Sequence, residues 1–545
     1  MFIKKLSAPC ALCLAMLVGA CAPQAGWHGE YGEAPASRPV QMQSDFYYPE
    51  YGLYGRGDAT DVVAPTSDLK NVAVLLPLSG PNATVGDGIN ASVEMAFLQR
   101  KHDNISVTFH DLSGNKSQKQ GVITSALAAN PDIVIGPVFA EDAALLRDMK
   151  PQSLPVLSFT SDVSAIGDGV MTMALIPSQS VEIIVKEMTA DNISGIIVMA
   201  PDTASGARMA GAAVQSANIY DMPVAGVFYY AEGDSDSIKR AAQKASMHRA
   251  RTAANTKARE ILADILNRET LTAVEKSSLN AQLDKLGKSD TLGGVPYDAV
   301  LFLGNAGDTK AIASFLRYFD VAPRDAGFYG TALWDGTELL NDFSFVGAKY
   351  AALGPQSADF SKLYEQVWGR KPSRLDTFGF DAANMAIGML HSSRAPAAYL
   401  LDPGGYNGLD GLFRLRPTGE SERALQILEI TGGGAARLVR APRTDFLIPI
   451  YSAAPGQISG ANEMELTGPG VNPMKYIRIP ERLRGKYASK TFGANMAATA
   501  PMAPAADSVV ILPEDDSDVI ESTEFQPAAL EHIDRTLIDS VEVNE

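Results

Sequence analysis

Short apolar runs alternate with segments of helical spacing from Asn71 onward. Residues 72–78 form a continuous apolar run, as in a buried parallel strand, and residues 87–101 then carry apolar side chains at helical spacing. Further apolar runs occur at 133–135 and 155–159, each after a segment with helical character. Strands that alternate with helices predict a parallel sheet with helices on both faces.

The same pattern recurs in a second block. Apolar runs at 195–200, 224–230, 299–304 and 327–331 are separated by segments that favour helices. Two similar Rossmann-like lobes fit this recurrence better than one very wide sheet. The sequence therefore predicts an α/β fold with two lobes.

A different pattern interrupts the second block between residues 234 and 290. This stretch is rich in Ala, Lys, Arg and Leu and lacks Pro, which predicts a helical insertion. A basic face there would bind the acidic tail, a partner or an anionic glycan. The alternative is that these residues form only a solvated helix face. Between Asp236 and Glu260 every charged residue is basic: Lys239, Arg240, Lys244, Arg249, Arg251, Lys257 and Arg259.

The N-terminus has the layout of a secretory signal. Lys4 and Lys5 precede an apolar stretch over residues 11–18, and Gly19 and Ala20 lead to Cys21. The apolar stretch is shorter than the roughly 20 residues that span a membrane. Residues 17–21 resemble a bacterial lipobox, which implies that Cys21 carries a lipid.

Cysteine usage supports lipidation of Cys21. The chain has three Cys, and Cys10 and Cys13 would leave with the signal. The one remaining thiol has no intramolecular partner, and a lipid would block it. Ala22 follows Cys21, which resembles the sorting pattern for the outer membrane. We therefore expect a protein anchored to the outer membrane by its N-terminal lipid and facing the periplasm.

The domain organisation follows from these patterns. We predict a signal peptide over 1–20, a flexible tether over 21–70, a folded domain over 71–450, and an extension with an acidic disordered tail over 451–545. Residues 501–545 hold twelve acidic residues and one basic residue, a net charge of −11 out of −17 for the chain. Secretion and the absence of a strongly basic domain argue against a nucleic-acid partner.

Three sequence passages together resemble the type I periplasmic binding proteins. Residues 72–81 followed by Val85-Gly86 resemble the opening of that fold, and residues 133–137 and 155–158 resemble its next two strand ends. Residues 406–415 with Gly419 resemble its late β-hairpin. The resemblance covers roughly residues 70–450 and implies two lobes with a cleft between them.

Two branches of that superfamily compete. Amino-acid receptors of ABC importers usually present hydroxyl groups to the ligand carboxylate, whereas residues 136–142 contain no hydroxyl and add Glu141 and Asp142. This loop and residues 329–335 resemble the branch that activates penicillin-binding proteins (LpoA or LppC-like). That resemblance implies a regulator of peptidoglycan synthesis whose partner is a penicillin-binding protein. The best-known activators carry a helical-repeat domain before this fold, whereas here we expect a tether in that place. The resemblance therefore does not specify which synthase is the partner.

Candidate cleft residues follow the carboxyl ends of the predicted strands, where open α/β sheets bind ligands. These residues would contact a small-molecule ligand if the cleft binds one. Structural roles are the alternative: Gly80 would shape a turn, and Trp334 would pack in the core. The candidates are Ser79, Gly80, Asn82, Phe139, Thr160, Ser161, Asp202, Asn305 and Trp334.

The sequence carries no catalytic signature. It contains neither G-x-S-x-G nor H-E-x-x-H, and Gln282 occupies the place of the first Gly of a P-loop that would end at Gly287-Lys288-Ser289. The six His are dispersed, which argues against a zinc site. We therefore expect no enzyme activity, no cofactor and no metal.

Overall fold

The computed structural model describes residues 69–99, 104–447, 458–466 and 471–488. Cys21, the predicted signal and the predicted acidic tail lie outside the described residues, as does the predicted tether apart from Leu69 and Lys70. Among the helices of the described segments, none has the length and apolar character needed to cross a membrane.

Strands and helices alternate along the chain as the apolar pattern predicts. The strands are β1 (Lys70–Leu76), β2 (Ile105–Asp111), β3 (Ile133–Ile135), β4 (Val156–Ser158), β5 (Val170–Thr172), β6 (Ile196–Pro201), β7 (Val224–Tyr230), β8 (Ala299–Phe302), β9 (Gly327–Gly330), β10 (Lys349–Ala352), β11 (Tyr406–Gly408), β12 (Gly411–Leu415), β13 (Ser421–Arg423), β14 (Gln426–Gly432) and β15 (Ala435–Arg440). The helices are α1 (Ala83–Leu98), α2 (Lys116–Ala128), α3 (Ala140–Met149), α4 (Pro177–Ala190), α5 (Ala204–Ile219), α6 (Ser235–Ala245), α7 (His248–Arg268), α8 (Ala273–Gly287), α9 (Ala306–Tyr318), α10 (Ala358–Trp368), α11 (Arg374–His391), α12 (Pro396–Leu400) and α13 (Glu481–Ala488).

Lobe 1 contains a five-stranded parallel sheet in the order β2-β1-β3-β4-β5. Helices α1 and α11 cover one face, where Ile89 and Phe97 of α1 join the core, and α2 and α3 cover the other face with Ile123 and Leu146. Strand β1 is therefore buried on both faces, which explains its continuous apolar run. The antiparallel sheet β11-β12-β13 also packs on lobe 1.

Lobe 2 contains a seven-stranded sheet in the order β15-β14-β10-β9-β8-β6-β7. Strands β6 to β10 are parallel, and β14 and β15 extend one edge in antiparallel orientation. Helices α4 and α5 cover one face, and α6 and α9 pack on the other. The prediction of two Rossmann-like lobes in an α/β fold is confirmed.

The helical insertion divides into two parts. Helix α6 packs on lobe 2 through Ile238 and Ala242. Helices α7 and α8 share a separate apolar cluster with the C-terminal segment 471–488, in which Leu483 and Tyr487 of α13 are buried. The predicted helical character is confirmed, and the chain returns after lobe 2 to complete the core of the insertion.

Candidate functional site: the interlobe interface

The chain passes between the lobes three times, after β5, after β10 and after β13, and buried side chains connect these crossings. The Gln179 amide on α4 donates to the Ser421 carbonyl and accepts from the Arg423 N–H at 3.2 Å. Gln426 Nε2 donates to the Leu353 carbonyl at 2.7 Å. Because these amides are buried and satisfied, the crossing segments are held in one arrangement.

Arg423 occupies the centre of this region with almost no exposure. Its guanidinium carbon lies 4.0 Å from the Phe378 ring centroid and 4.8 Å from that of Phe413. Burial lowers the pKa of Arg423 to about 10, while the neighbouring acidic groups Asp381 and Asp410 act in the opposite direction. Cation–π contacts and the Asp410 carboxylate therefore stabilise a buried charge here.

Arg374, the first residue of α11, links the two lobes. Its Nη1 lies 2.6 Å from Asp410 Oδ1 of lobe 1, and its Nη2 lies 2.9 Å from Asp335 Oδ2, in the lobe 2 loop after β9. Nη1 also donates to the Gly354 carbonyl at 3.0 Å. Burial acts to lower the pKa of Arg374, but the two carboxylates raise it overall.

Asp381 is a buried carboxyl group beside this pair. It accepts the Leu409 N–H at 3.1 Å and 3.3 Å. Burial, together with the neighbouring Asp410 carboxylate, raises the pKa of Asp381 to about 8, against the opposing effects of Arg423 and the Leu409 N–H. The proton on Asp381 reduces the cost of burying two carboxyl groups close together.

A second ion pair joins the lobes near the start of α5. Arg208 Nη2 of lobe 2 lies 3.5 Å from Asp162 Oδ1 of lobe 1, and both side chains are about one third exposed. Burial acts to raise the pKa of Asp162, but hydrogen bonds from Ser164 and the charge of Arg208 lower it overall. One apolar cluster also runs through both lobes and includes Val74 of β1 and Val198 of β6.

A small interlobe cavity lies beside this ion pair. Its volume is about 20 Å³. A cavity of this size holds about one water molecule. Its lining residues are Ser161, Val163, Ile176, Pro177, Ser178, Ser205, Arg208 and Met209.

The lobe 1 candidates occupy different environments. Ser161 lines the interlobe cavity, and the buried Thr160 accepts the Asp162 N–H through Oγ1 at 3.1 Å. Phe139 is half-buried at the start of α3. The other three candidates of lobe 1, Ser79, Gly80 and Asn82, are exposed in the turn after β1. The backbone of Ser79 is hydrogen-bonded to the Ser113 hydroxyl. Gly80 has a φ of +74°, and Asn82 directly precedes α1.

The lobe 2 candidates are also separated. Asp202 and Asn305 are exposed, and Asn305 caps α9 through the Asp308 N–H at 2.9 Å. Trp334 is fully buried among Phe302 and other aromatic rings, so it does not reach the cleft surface. The physical reason is Gly330, where a Cβ would lie only 2.2 Å from the indole, so the ring folds back over the strand.

Two further expectations need correction. Asp142 was expected to present its charge at the cleft, but it is buried and lies 2.7 Å from Lys119 Nζ of α2, so its charge is compensated. Arg251 was expected in a basic surface patch, but it is buried and donates to the carbonyls of Gly293 and Phe319. Arg251 therefore has a structural role in holding α7.

Several interface residues escaped the sequence reasoning. Ser178 and Arg374 lie in the first turns of α4 and α11, and Arg208 lies in the second turn of α5, whereas the predicted candidates follow strand ends. Asp410 lies in the hairpin passage that carried the family resemblance, but nothing in the sequence marked its partner. No group of three or more potential metal ligands occurs among the side chains that the structure describes.

Comparison with known proteins indicates a resemblance to one family and shows the fold. Residues 63–262 match the model of a family described as "LppC putative lipoprotein". The chain resembles the LppC family. This match spans β1 to α6 and most of α7, and so includes the first part of each lobe. No curated protein matches the chain by sequence.

Solved structures share the two-lobed architecture of this LppC-like chain. A protein assigned to a branched-chain amino acid ABC transporter of Rhodospirillum rubrum is 15% identical, with a TM-score of 0.51 over 68% of this chain and 100% of that one. The LpoA C-domain of Haemophilus influenzae is 16% identical, with a TM-score of 0.46 over 68% of this chain and 100% of that one. The chain covers 59% of full-length LpoA. At these identities the likeness shows the type I periplasmic-binding-protein fold.

Proposed function

We propose that this chain is a lipoprotein regulator of peptidoglycan synthesis that binds and activates a penicillin-binding protein. The match of residues 63–262 to the LppC family carries the proposal. The LpoA C-domain of Haemophilus influenzae is described as a regulator of PBP1A. We extend that kind of role to this chain, with the synthase itself unspecified.

The geometry of the interlobe interface favours a regulator over a solute receptor. A receptor needs a cleft that opens and encloses its ligand, and pockets for drug-sized ligands measure roughly 300–1,000 Å³. Here the cavity beside Arg208 measures about 20 Å³, and ion pairs at Asp162 and Asp335 join the lobes. This arrangement supports recognition of a partner by the outer surface of the two lobes.

The mechanism follows from linkage. A regulator activates a synthase when it binds the active conformation of that synthase more tightly than the inactive one. A tenfold activation requires about 1.4 kcal/mol of differential binding free energy, which a few surface contacts supply. No group on the regulator has to enter the catalytic site of the synthase.

The lipid on Cys21 and the outer-membrane location belong to the same proposal. A fully extended segment 21–70 would reach on the order of 150 Å, which is enough to carry the folded domain away from the membrane surface. Metabolic labelling with a palmitate analogue tests the anchor. We expect labelling of the wild type and of Cys13→Ser but not of Cys21→Ser, and separation of the two membranes should place the labelled chain in the outer one.

Binding to purified penicillin-binding proteins tests the partner. The mature chain should bind one of them in biolayer interferometry and increase its rate of peptide cross-linking. If no synthase binds and a free amino acid raises the melting temperature of the chain, a solute receptor for an ABC importer is the better interpretation. Binding to a synthase and stabilisation by an amino acid both require a folded chain. A misfolded preparation therefore produces neither outcome.

A further inference from the structure

An open groove runs along the outer face of the helical insertion. Met247, whose φ is +50°, separates α6 from α7, and the groove lies along α7 beside the end of α6. Its volume is about 570 Å³, and its lining residues on α7 extend over about 18 Å at the helical rise of 1.5 Å per residue. This shape suits an extended chain better than a compact ligand. The lining residues of this α6–α7 groove are Gln243, His248, Arg249, Thr252, Ala253, Thr256, Lys257 and Glu260.

The positive charge at the groove is only partly compensated. Lys257 Nζ lies 3.0 Å from Glu260 Oε2. Lys244 Nζ of α6 lies 2.8 Å from Glu463 Oε1. Four further cations of α6 and α7 are exposed, and no carboxylate of the described residues lies within 4.0 Å of their charged nitrogens. These four are Lys239, Arg240, Arg249 and Arg259. Because exposed like charges repel one another, this surface favours a partner that carries repeated negative charges.

An exposed aromatic ring continues this surface beyond α6. Tyr318, the last residue of α9, is 70% exposed, and Lys239 Nζ lies 5.9 Å from its ring centroid. Lys239 lies one helical turn before Gln243 of the groove. The Phe319 ring contacts both Tyr318 and His248, with centroid distances of 5.1 Å and 4.8 Å. The aromatic ring, the cations and the α6–α7 groove therefore form one surface.

We propose that this surface binds an anionic polysaccharide whose sugar rings carry carboxylate groups. Arg249 and Lys239 pair with the carboxylates, an apolar face of a sugar ring packs on Tyr318, and sugar hydroxyls bond with the hydroxyl and amide side chains of the groove.

An acidic peptide fits this surface less well. Peptide recognition uses a free strand edge or apolar pockets that hold anchoring side chains. The backbone groups of α7 are bonded within the helix, and no large apolar side chain of residues 235–268 is exposed. The surface therefore offers cations, polar groups and one aromatic ring, which is the combination that a charged sugar chain requires. This inference does not depend on the proposed function.

Calorimetric titration of the mature chain with defined oligomers tests the surface. Oligogalacturonate, which carries a carboxylate on every ring, is compared with neutral maltooligosaccharide of equal length and with oligoglutamate of equal charge. We expect oligogalacturonate to bind with an affinity that falls as salt is added, because salt screens exposed ion pairs. Maltooligosaccharide and oligoglutamate should bind more weakly. Tighter binding of oligoglutamate would identify an acidic peptide as the ligand and overturn the proposal, as would equal binding of the two oligosaccharides.

Variants of exposed residues locate the binding without disturbing the fold. Arg249→Gln and Lys239→Gln should each weaken oligogalacturonate binding about threefold to fivefold, as the loss of an exposed ion pair predicts. Tyr318→Ala should weaken it about fivefold, whereas Tyr318→Phe retains the ring and should bind like the wild type. Lys276→Gln, which removes an exposed cation of α8 outside the groove, is the matched control. Equal weakening by Lys276→Gln and Arg249→Gln, or an unchanged affinity of Tyr318→Ala, would overturn the proposal.

Discussion

Asp335 and Arg374 form an ion pair between the two lobes, with 2.9 Å between Oδ2 and Nη2. The same guanidinium lies 2.6 Å from Asp410 Oδ1, whose side chain is completely buried. Arg374 therefore has two contacts of different kinds. The contact with Asp410 compensates a buried charge, whereas the contact with Asp335 lies near the surface and connects the lobes.

Substitution of Arg374 should cost far more stability than substitution of Asp335. Arg374→Met leaves Asp410 buried without its nearest cation, for which we expect a loss of about 3–5 kcal/mol in the free energy of unfolding. Asp335→Asn removes a partly exposed pair and should cost less than about 1 kcal/mol. Urea denaturation of both variants measures the difference, and equal losses would contradict this assignment.

Asp381 should make stability fall as the pH rises. Its folded pKa of about 8 lies above the ordinary value of 3.8, so between these values the folded state holds a proton that the unfolded state has released. The free energy of unfolding therefore decreases from about pH 4 to pH 8 through this group. Asp381→Asn should match the wild type only below about pH 4 and should exceed it by an increasing margin up to about pH 8 in urea titrations. Parallel pH profiles of the two proteins would show that Asp381 is ionised throughout.

Trp334 should behave as a core residue. Trp334→Ala should cost about 3–5 kcal/mol because a fully buried ring is removed. Trp334→Phe should cost less, since the indole Nε1 has no hydrogen-bond partner among the described residues. The control is Leu333→Ala, whose side chain is 46% exposed and should cost under about 1 kcal/mol. Chemical denaturation compares the three, and a loss for Trp334→Ala as small as that of the control would place the indole outside the core.

Helix α13 should be required for the stability of the insertion. Deletion of residues 481–545 removes Leu483 and Tyr487 from the cluster on α7 and α8, and also the ion pair between Arg482 and Glu275. We expect faster proteolysis within α7 and α8 and a lower melting temperature. Deletion of residues 489–545 retains α13 and serves as the control. The packing described for α13 would be refuted if both deletions behaved like the full chain.

The fold was predictable because its strands are buried on both faces. Strand β1 and strand β6 lie between layers of helices, so their sequences are continuous apolar runs that periodicity detects. The insertion was predictable from its composition. The pairing of α7 and α8 with α13 was not, because that contact joins segments about 200 residues apart.

The candidate site was predictable only in part. Strand ends drew attention to Ser161, and this residue lines the interlobe cavity. Trp334 was an equally plausible cleft residue because it follows strand β9. Its side chain turns into the core because Gly330 leaves room for the indole, and the sequence around a strand end does not reveal such a contact. Partners such as Arg208 for Asp162 come from different lobes, and nothing local in the sequence specifies which charges will meet.

The most direct test of the proposed regulation is a cross-linking assay with a penicillin-binding protein from the same organism. The mature chain is added at increasing concentration, with and without a mixture of free amino acids, and the rate of peptide cross-linking is measured. The proposal predicts a saturable increase in rate that the amino acids do not alter. No increase with any penicillin-binding protein, together with stabilisation of the chain by an amino acid, would contradict it.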